Sequence, residues 1–306
     1  MILFTLVAAL ALQYAYPPPA RQGLDALYGR LCLSTARRLN AGDRNSGVLA
    51  YFALLAALLL PVAAATAIAA WLHGAVLAVL CAAVLYGSLR FLHTTATVGA
   101  IERLLREGDP AGAGRRLAQW TGEPSPADDA GTIARLAAEH GLREAHHGTF
   151  ALLFWFLALP GPLGVVLYAL TQRAARLWEL GSDAEEQAFG WFAARAFHYL
   201  DWVPRRVTAL AFAIVGNFED ALFCWRAQAA QWPRPDEGVV LASGAGALGV
   251  RLGEPLPRGD AWEDRPPLGT GEPAGEDALA SLEGMLWRAA VLWLVAYLLA
   301  AGLAFG

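Results

Sequence analysis

Lysine is absent from this chain; all 23 basic residues are arginine, set against 27 acidic ones. That absence reads as a coding bias and carries no chemistry. Charge is scarce altogether: 16% of residues are charged and 57% are hydrophobic. Soluble domains carry about 25% charged residues, so the balance excludes an ordinary soluble globule. The net charge of −4 is too small to name a partner, and no nucleic acid is expected. Cysteine is scarce and odd in number. Cys32, Cys81 and Cys224 lie far apart, which excludes a disulfide framework and a CxxC metal pair. There is no Walker loop, dinucleotide fingerprint or HExxH motif, and no internal repeat.

Long apolar runs are what the chain has instead. Residues 48–71 and 75–92 each read as a membrane span, with His73-Gly74 between them, so a tight helical hairpin is expected. Residues 1–15 read as a shorter first span, stopped by Pro17-Pro18-Pro19. Residues 286–305 read as the last span. Segment 149–170 is long enough to cross, but Pro160-Gly161-Pro162 breaks it in the middle. Arg135 and Arg143 before it and Arg173 and Arg176 after it would hold both ends in the cytoplasm, so a re-entrant hairpin is expected. Residues 207–225 span only if the run from Val207 continues to Trp225. The expected fold is therefore all-α: a polytopic integral membrane protein with about four or five membrane segments and a helical cytoplasmic layer. One domain covers 1–306, with the lipid bilayer as a partner.

The polar stretches fill in the rest. Leu24, Leu27 and Leu31 give residues 21–44 an apolar face, expected to lie on the membrane. Residues 93–148 read as a cytoplasmic helical insert, with breaks at Asp109-Pro110 and in the Pro-, Ser- and Asp-rich loop before Thr132. Residues 226–283 read as a long connection, loosely ordered in its second half.

Four groups of residues could carry chemistry. Glycines at 238–253 could bring backbone N–H groups to a phosphate, or could simply make turns. His140, Glu144 and His147 are spaced i, i+4, i+7, so one helix face would present all three to a metal, zinc by type; the plain alternative is a solvated helix face. Arg195, His198 and Asp201 share a face at i, i+3, i+6. Arg195 could hold a phosphate or carboxylate bidentately, while a plain Asp201–arginine salt bridge would serve the turn equally. Trp202, Arg205 and Arg206 read as an interfacial belt at headgroup depth.

Three separated blocks carry a family resemblance. They are F-G-x-x-A-A-R at 189–195, D-W-V-P-x-R-V-T-A at 201–209 and G-A-L-G-V-R-L-G at 246–253. A fourth lies at 151–168, with L-F-W before a Pro/Gly break and V-L-Y after it. Order and spacing resemble the CobD/CbiB family of cobalamin-biosynthesis membrane proteins. The resemblance implies a multi-pass protein of the bacterial inner membrane. It also implies ATP-dependent amide ligation of an aminopropanol arm to a corrinoid carboxylate, with Mg²⁺ and ATP as cofactors and a corrinoid as substrate. Carried over by position, Glu139 and Arg195 are the catalytic candidates. Arg135, Trp202, Arg206, Thr208, Gly246, Gly249 and Arg251 are the substrate-binding candidates.

The chain also departs from the family pattern. The family's R-D-T triplet is Glu123-Pro124-Ser125 here. In its E-S-L-A-E-N-x-x-D-G block, Arg143, Glu144 and His147 replace the second Glu, the Asn and the Asp. The N-T-L-D-S-M block is 172–177, beginning Gln172-Arg173, and Phe197-His198 stands where the family has paired Asp. The related AmpE family shares the L-F-W and D-W-V-P-x-R blocks. A non-enzymatic AmpE-like sensor or regulator is therefore the second reading. A transporter built around the broken segment is the third.

Overall fold

A computed structural model describes residues 2–16, 24–124, 129–179, 184–258 and 261–305. In chain order the helices are α1 (Ile2–Ala15), α2 (Leu24–Leu39), α3 (Arg44–Leu72), α4 (Gly74–Ser88), α5 (Phe91–Arg106), α6 (Pro110–Thr121), α7 (Ala130–Ala145), α8 (Ala151–Ala158), α9 (Leu163–Glu179), α10 (Ala184–Val215), α11 (Phe218–Gln228), α12 (Pro235–Leu248) and α13 (Glu276–Phe305). A π-helical turn, His146–Phe150, joins α7 to α8. Short strands follow α12: β1 (Val250–Leu252), β2 (Leu256–Arg258), β3 (Ala261–Glu263), β4 (Leu268–Gly269) and β5 (Glu272–Pro273). The fold is all-α, as the composition led us to expect. Among the described residues Arg44–Leu72, Gly74–Arg106 and Glu276–Leu299 are long and apolar enough to cross a membrane, and Thr5–Ala15 is a shorter apolar helix. The Pro17-Pro18-Pro19 stop lies outside the described residues.

Two compact units form. Unit 1 holds Met1–Leu89, Ala151–Val203 and Tyr297–Gly306; unit 2 holds Arg90–Phe150 and Pro204–Ala296. In unit 1, α2, α3, α9 and the start of α10 share a core that includes Tyr28, Tyr51, Leu54, Trp178 and Phe189. Leu24 and Leu31 pack against this core. The apolar face of α2 is thus used inside the protein, where the sequence placed it on the membrane. Two buried polar groups within it are paired: Tyr51 Oη meets Thr171 Oγ1 at 3.0 Å, and Trp178 Nε1 donates to the Cys32 carbonyl at 3.1 Å. Gln13 on α1 donates to the Tyr86 and Leu89 carbonyls at 2.8 and 2.7 Å. That satisfies acceptors which the end of α4 leaves open.

The turn between α3 and α4 is made by one residue. His73 closes α3 with its N–H on the Ala69 carbonyl and opens α4 by accepting the Ala75 N–H on Nδ1 at 3.1 Å. Only 17% of the apolar window of α3 is buried, and Trp71, Leu60 and Val79 are mostly exposed. An apolar surface that the protein leaves uncovered suits hydrocarbon. The Pro160-Gly161-Pro162 break separates α8 from α9, and the two pack as a helical hairpin. A Cβ on Gly164 would lie 2.1 Å from the Trp155 carbonyl oxygen, so only glycine permits the fold-back. A cleft of about 250 Å³ lies beside its tip, lined by Thr5, Leu77, Cys81 and the 156–161 turn.

Unit 2 is built on caps and close packing. Asp109 accepts the Gly112 N–H and Asp129 the Thr132 N–H, starting α6 and α7. These caps stand at the breaks the sequence marked. The largest difference from the sequence reading is at 226–283. Pro235 at the first turn, with Asp236 and Glu237 beside it, starts α12 within the expected loop. This placement suits a helix N-terminus. Ten of its residues are buried, from Gly238 to Ala247. A Cβ on Gly246 would lie 2.5 Å from the Asp220 carbonyl oxygen on α11. Its glycine content is therefore a packing device. β1 then pairs antiparallel with β4 and parallel with β5, while β2 and β3 form a hairpin. The segment expected to be loose is tied into this small sheet.

Candidate functional site

The end of the 246–253 block meets the face of α7. Arg135 and Glu139 are one helical turn apart and point the same way. Both are buried, Glu139 completely. Opposite them runs the chain that leaves α12. Gly249 ends the helix in the left-handed region, φ 67°, and β1 carries Arg251 past it. Gly253 and Glu254 follow, both with positive φ, 85° and 76°.

Two ion pairs tie α7 to this turn, with opposite polarity. Arg265 donates from Nη1 to Glu139 Oε2 at 2.8 Å and from Nη2 to Oε1 at 3.2 Å. The Gly253 N–H donates to the same carboxylate at 3.0 Å. Arg265 also reaches the Glu254 carbonyl at 3.2 Å, and its guanidinium sits 5.2 Å from the centre of the Trp232 ring. Buried charge of this kind is tolerable only when it is paired and hydrogen-bonded. The second pair is Arg135 with Glu254, and Arg251 Nε approaches the same carboxylate at 3.4 Å.

The other sequence candidates have their own partners. Thr208 Oγ1 lies 2.9 Å from His146 Nδ1, and both are buried. Gly246 serves the α11–α12 contact described above. Arg195 is held by its neighbour one turn on: Nη2 donates to Tyr199 Oη at 2.9 Å, with the guanidinium 5.2 Å from that ring. Asp201 accepts from Tyr168 Oη at 2.8 Å. Trp202 is exposed, and Arg206 is half-buried. Arg205 departs from the expected belt: it is 1% exposed and paired with Asp236.

The expected metal face does not assemble. His140 packs edge-on against Trp120 with ring centres 4.5 Å apart, and Glu144 lies 3.4 Å from Arg90. His147 lies past the end of α7, in the π-helical turn. The extra residue per turn breaks the i, i+7 relation on which the face depended.

Glu237 shows how strongly arginine sets the electrostatics of this unit. Burial alone would raise its pKa. Arg143 at 3.8 Å and Arg234 at 3.0 Å, with His147 adding to them, bring it below the ordinary glutamate value. The sequence reading missed Arg265, Glu254 and Asp236. No motif marked them, because their partners lie far away along the chain.

Comparison with known proteins gives the family. A model of the CobD/Cbib protein family matches residues 6–285. A cobalamin biosynthesis protein CobD from Chromobacterium violaceum is 37% identical over 203 residues, 65% of this chain and 64% of that protein. One of the same name from Stutzerimonas stutzeri is 37% identical over 186 residues, 61% of each chain. The chain thus spans less than two thirds of either relative's length. A third, from Rhodobacter capsulatus, is 31% identical over 224 residues, 68% of this chain and 69% of its own. No solved structure matches. With a match over nearly its whole length, the chain belongs to the CobD/CbiB family.

Proposed function

We propose that this protein acts in cobalamin biosynthesis as an adenosylcobinamide(-phosphate) synthase-like enzyme of the bacterial inner membrane. It would join the amine of an aminopropanol arm to a corrinoid carboxylate as an amide, at the expense of ATP. The family match over residues 6–285 carries this reading. The geometry supports it, because Arg135 and Glu139 and the 246–253 block, far apart in sequence, converge on one face in unit 2. Arginine-rich faces suit phosphorylated substrates.

Mg²⁺ held by Glu139 does not fit these residues. Arg265 and the Gly253 N–H already donate three hydrogen bonds to that carboxylate, and the Arg265 guanidinium already neutralises its charge, so a cation there would have to displace an arginine. Magnesium would enter with the nucleotide, on its phosphates. The same observation favours a second reading, a non-enzymatic AmpE-like sensor that keeps the scaffold and has lost the catalytic carboxylates.

The test is an absorbance-monitored corrinoid titration of the detergent-purified protein, with and without Mg·ATP and aminopropanol phosphate. Binding with product formation is the expected result. Binding without product would assign an accessory or carrier role. No binding would remove the ligase reading and leave the sensor.

A further inference from the structure

The two ion pairs on α7 differ in one respect. The Glu139–Arg265 pair is sealed, with side chains 1% and 8% exposed, and each partner has further hydrogen bonds. The pair on Arg135 is open at one end. Arg135 is 7% exposed, but Glu254 is 36% exposed and Arg251 40%. Among the described residues the buried Arg135 Nε has no hydrogen-bond partner. Two arginines, one of them buried and incompletely used, therefore converge on a single carboxylate at the surface.

The backbone beneath that carboxylate is strained. Glu254 is the one non-glycine residue with positive φ among the described residues, at 76°. L-residues rarely adopt this region and glycine adopts it freely. A side chain held at such a position commonly has a reason for being there. The reason available here is its charge, delivered between Arg135 and Arg251.

The geometry points to a binding site for a phosphoryl group, formed by Arg135 and Arg251, in which the Glu254 carboxylate is an internal stand-in for the ligand. A phosphate offers three acceptor oxygens where the carboxylate offers two, so it can also take up the unused Arg135 Nε. The carboxylate is exposed enough to be displaced, while the Glu139–Arg265 pair holds the turn in place. Glu254 then serves as a gate: an incoming phosphate must outcompete it, which sets a threshold for binding. The anion site stands on this geometry alone. That the phosphate belongs to a nucleotide or to a phosphorylated amino alcohol rests on the ligase reading.

The experiment is calorimetric titration of full-length protein in detergent. Inorganic phosphate, ATP and aminopropanol phosphate are used separately. E254G removes the carboxylate and puts glycine where φ favours it, which offsets part of the cost of leaving Arg135 without its partner; a thermal melt selects the variants that remain folded. E254Q removes only the charge. Both should bind at least one of the three phosphates about tenfold more tightly than the parent, because the competing state is gone. R135Q or R251Q, added to E254G, should abolish the gain; R251Q, at an exposed position, serves if R135Q fails to fold. A gain confined to ATP assigns the nucleotide, and one confined to aminopropanol phosphate assigns the amine substrate. Unchanged affinity for all three in well-folded E254G and E254Q would overturn the proposal, as would a gain that survives R251Q. Corrinoid titration is independent of these readouts, so failure of the ligase reading leaves the phosphate result intact.

Discussion

Glu139 is a catalytic candidate by its place in the family pattern, and in the structure it is fully buried and accepts three hydrogen bonds, two of them from Arg265. Its partner determines which role it plays. A buried ion pair contributes little net stability when intact, but removing one member leaves the other as an uncompensated charge. R265M and E139Q should each lower stability by about 3–5 kcal/mol. The double variant should recover a large part of the loss, since no charge is then stranded. Thermal melts of the purified protein read both effects. R265K should rescue poorly, because an ammonium cannot reproduce two parallel bonds to one carboxylate. Additive losses in the double variant would show that the pair does not act as a unit.

Glu237 gives a second test at the same scale. Its folded pKa lies below the ordinary 4.5, with Arg143, Arg234 and His147 outweighing burial. A carboxylate with a lowered folded pKa stabilises the fold above its unfolded value, and that stability is lost as pH falls through the folded value. The parent should therefore lose stability on acidification below about 4.5 more steeply than E237Q. Melting temperature against pH for the two proteins checks this, and parallel curves would remove Glu237 from the account.

Among the elements, α12 is where the physics is least visible in one dimension. Glycine is disfavoured in a helix interior by about 1 kcal/mol relative to alanine, so a glycine-rich run reads as a turn. What reverses the reading is a neighbour: α11 approaches so closely that Gly246 has no room for a Cβ. G246A should cost about 1–3 kcal/mol through overpacking against backbone. G284A in α13 is the matched contrast, since nothing lies within 4 Å of its would-be Cβ. That change should be neutral or stabilising by roughly 0.5–1 kcal/mol in the melt. Other elements were legible because their signals are local. Asp109-Pro110 marks the start of α6, and the His73-Gly74 turn follows from the gap between two apolar runs. The π-helical turn at His146–Phe150 has no such signal, and the expected His140–Glu144–His147 face failed there. The site was half legible for the same reason: Arg135, Glu139 and Arg251 sit in family blocks, whereas Arg265 and Glu254 acquire meaning only through partners distant in sequence.

At the scale of the whole molecule, what remains is how the apolar helices lie in the bilayer. At 1.5 Å per residue the 29 residues of α3 extend about 43 Å, enough to cross the hydrocarbon with both ends in headgroups. Its N-terminal end follows α2, which carries Arg37 and Arg38 in its last turn. Its C-terminal end is the His73 turn, near which the described chain has no arginine until Arg90. The positive-inside bias therefore predicts α2 on the cytoplasmic side and His73 on the far side. The protein's own cysteines leave a clean background for testing this. Cys32, Cys81 and Cys224 are all buried, and desolvation pushes the Cys32 thiol up to about 12, so little reactive thiolate forms at neutral pH. R38C and H73C place thiols at exposed positions on either end of α3. In intact cells a membrane-impermeant maleimide should label H73C and spare R38C, and cell lysis should expose both. Labelling of R38C from outside would invert the topology, and labelling of both would mean that α3 does not separate its ends across the membrane.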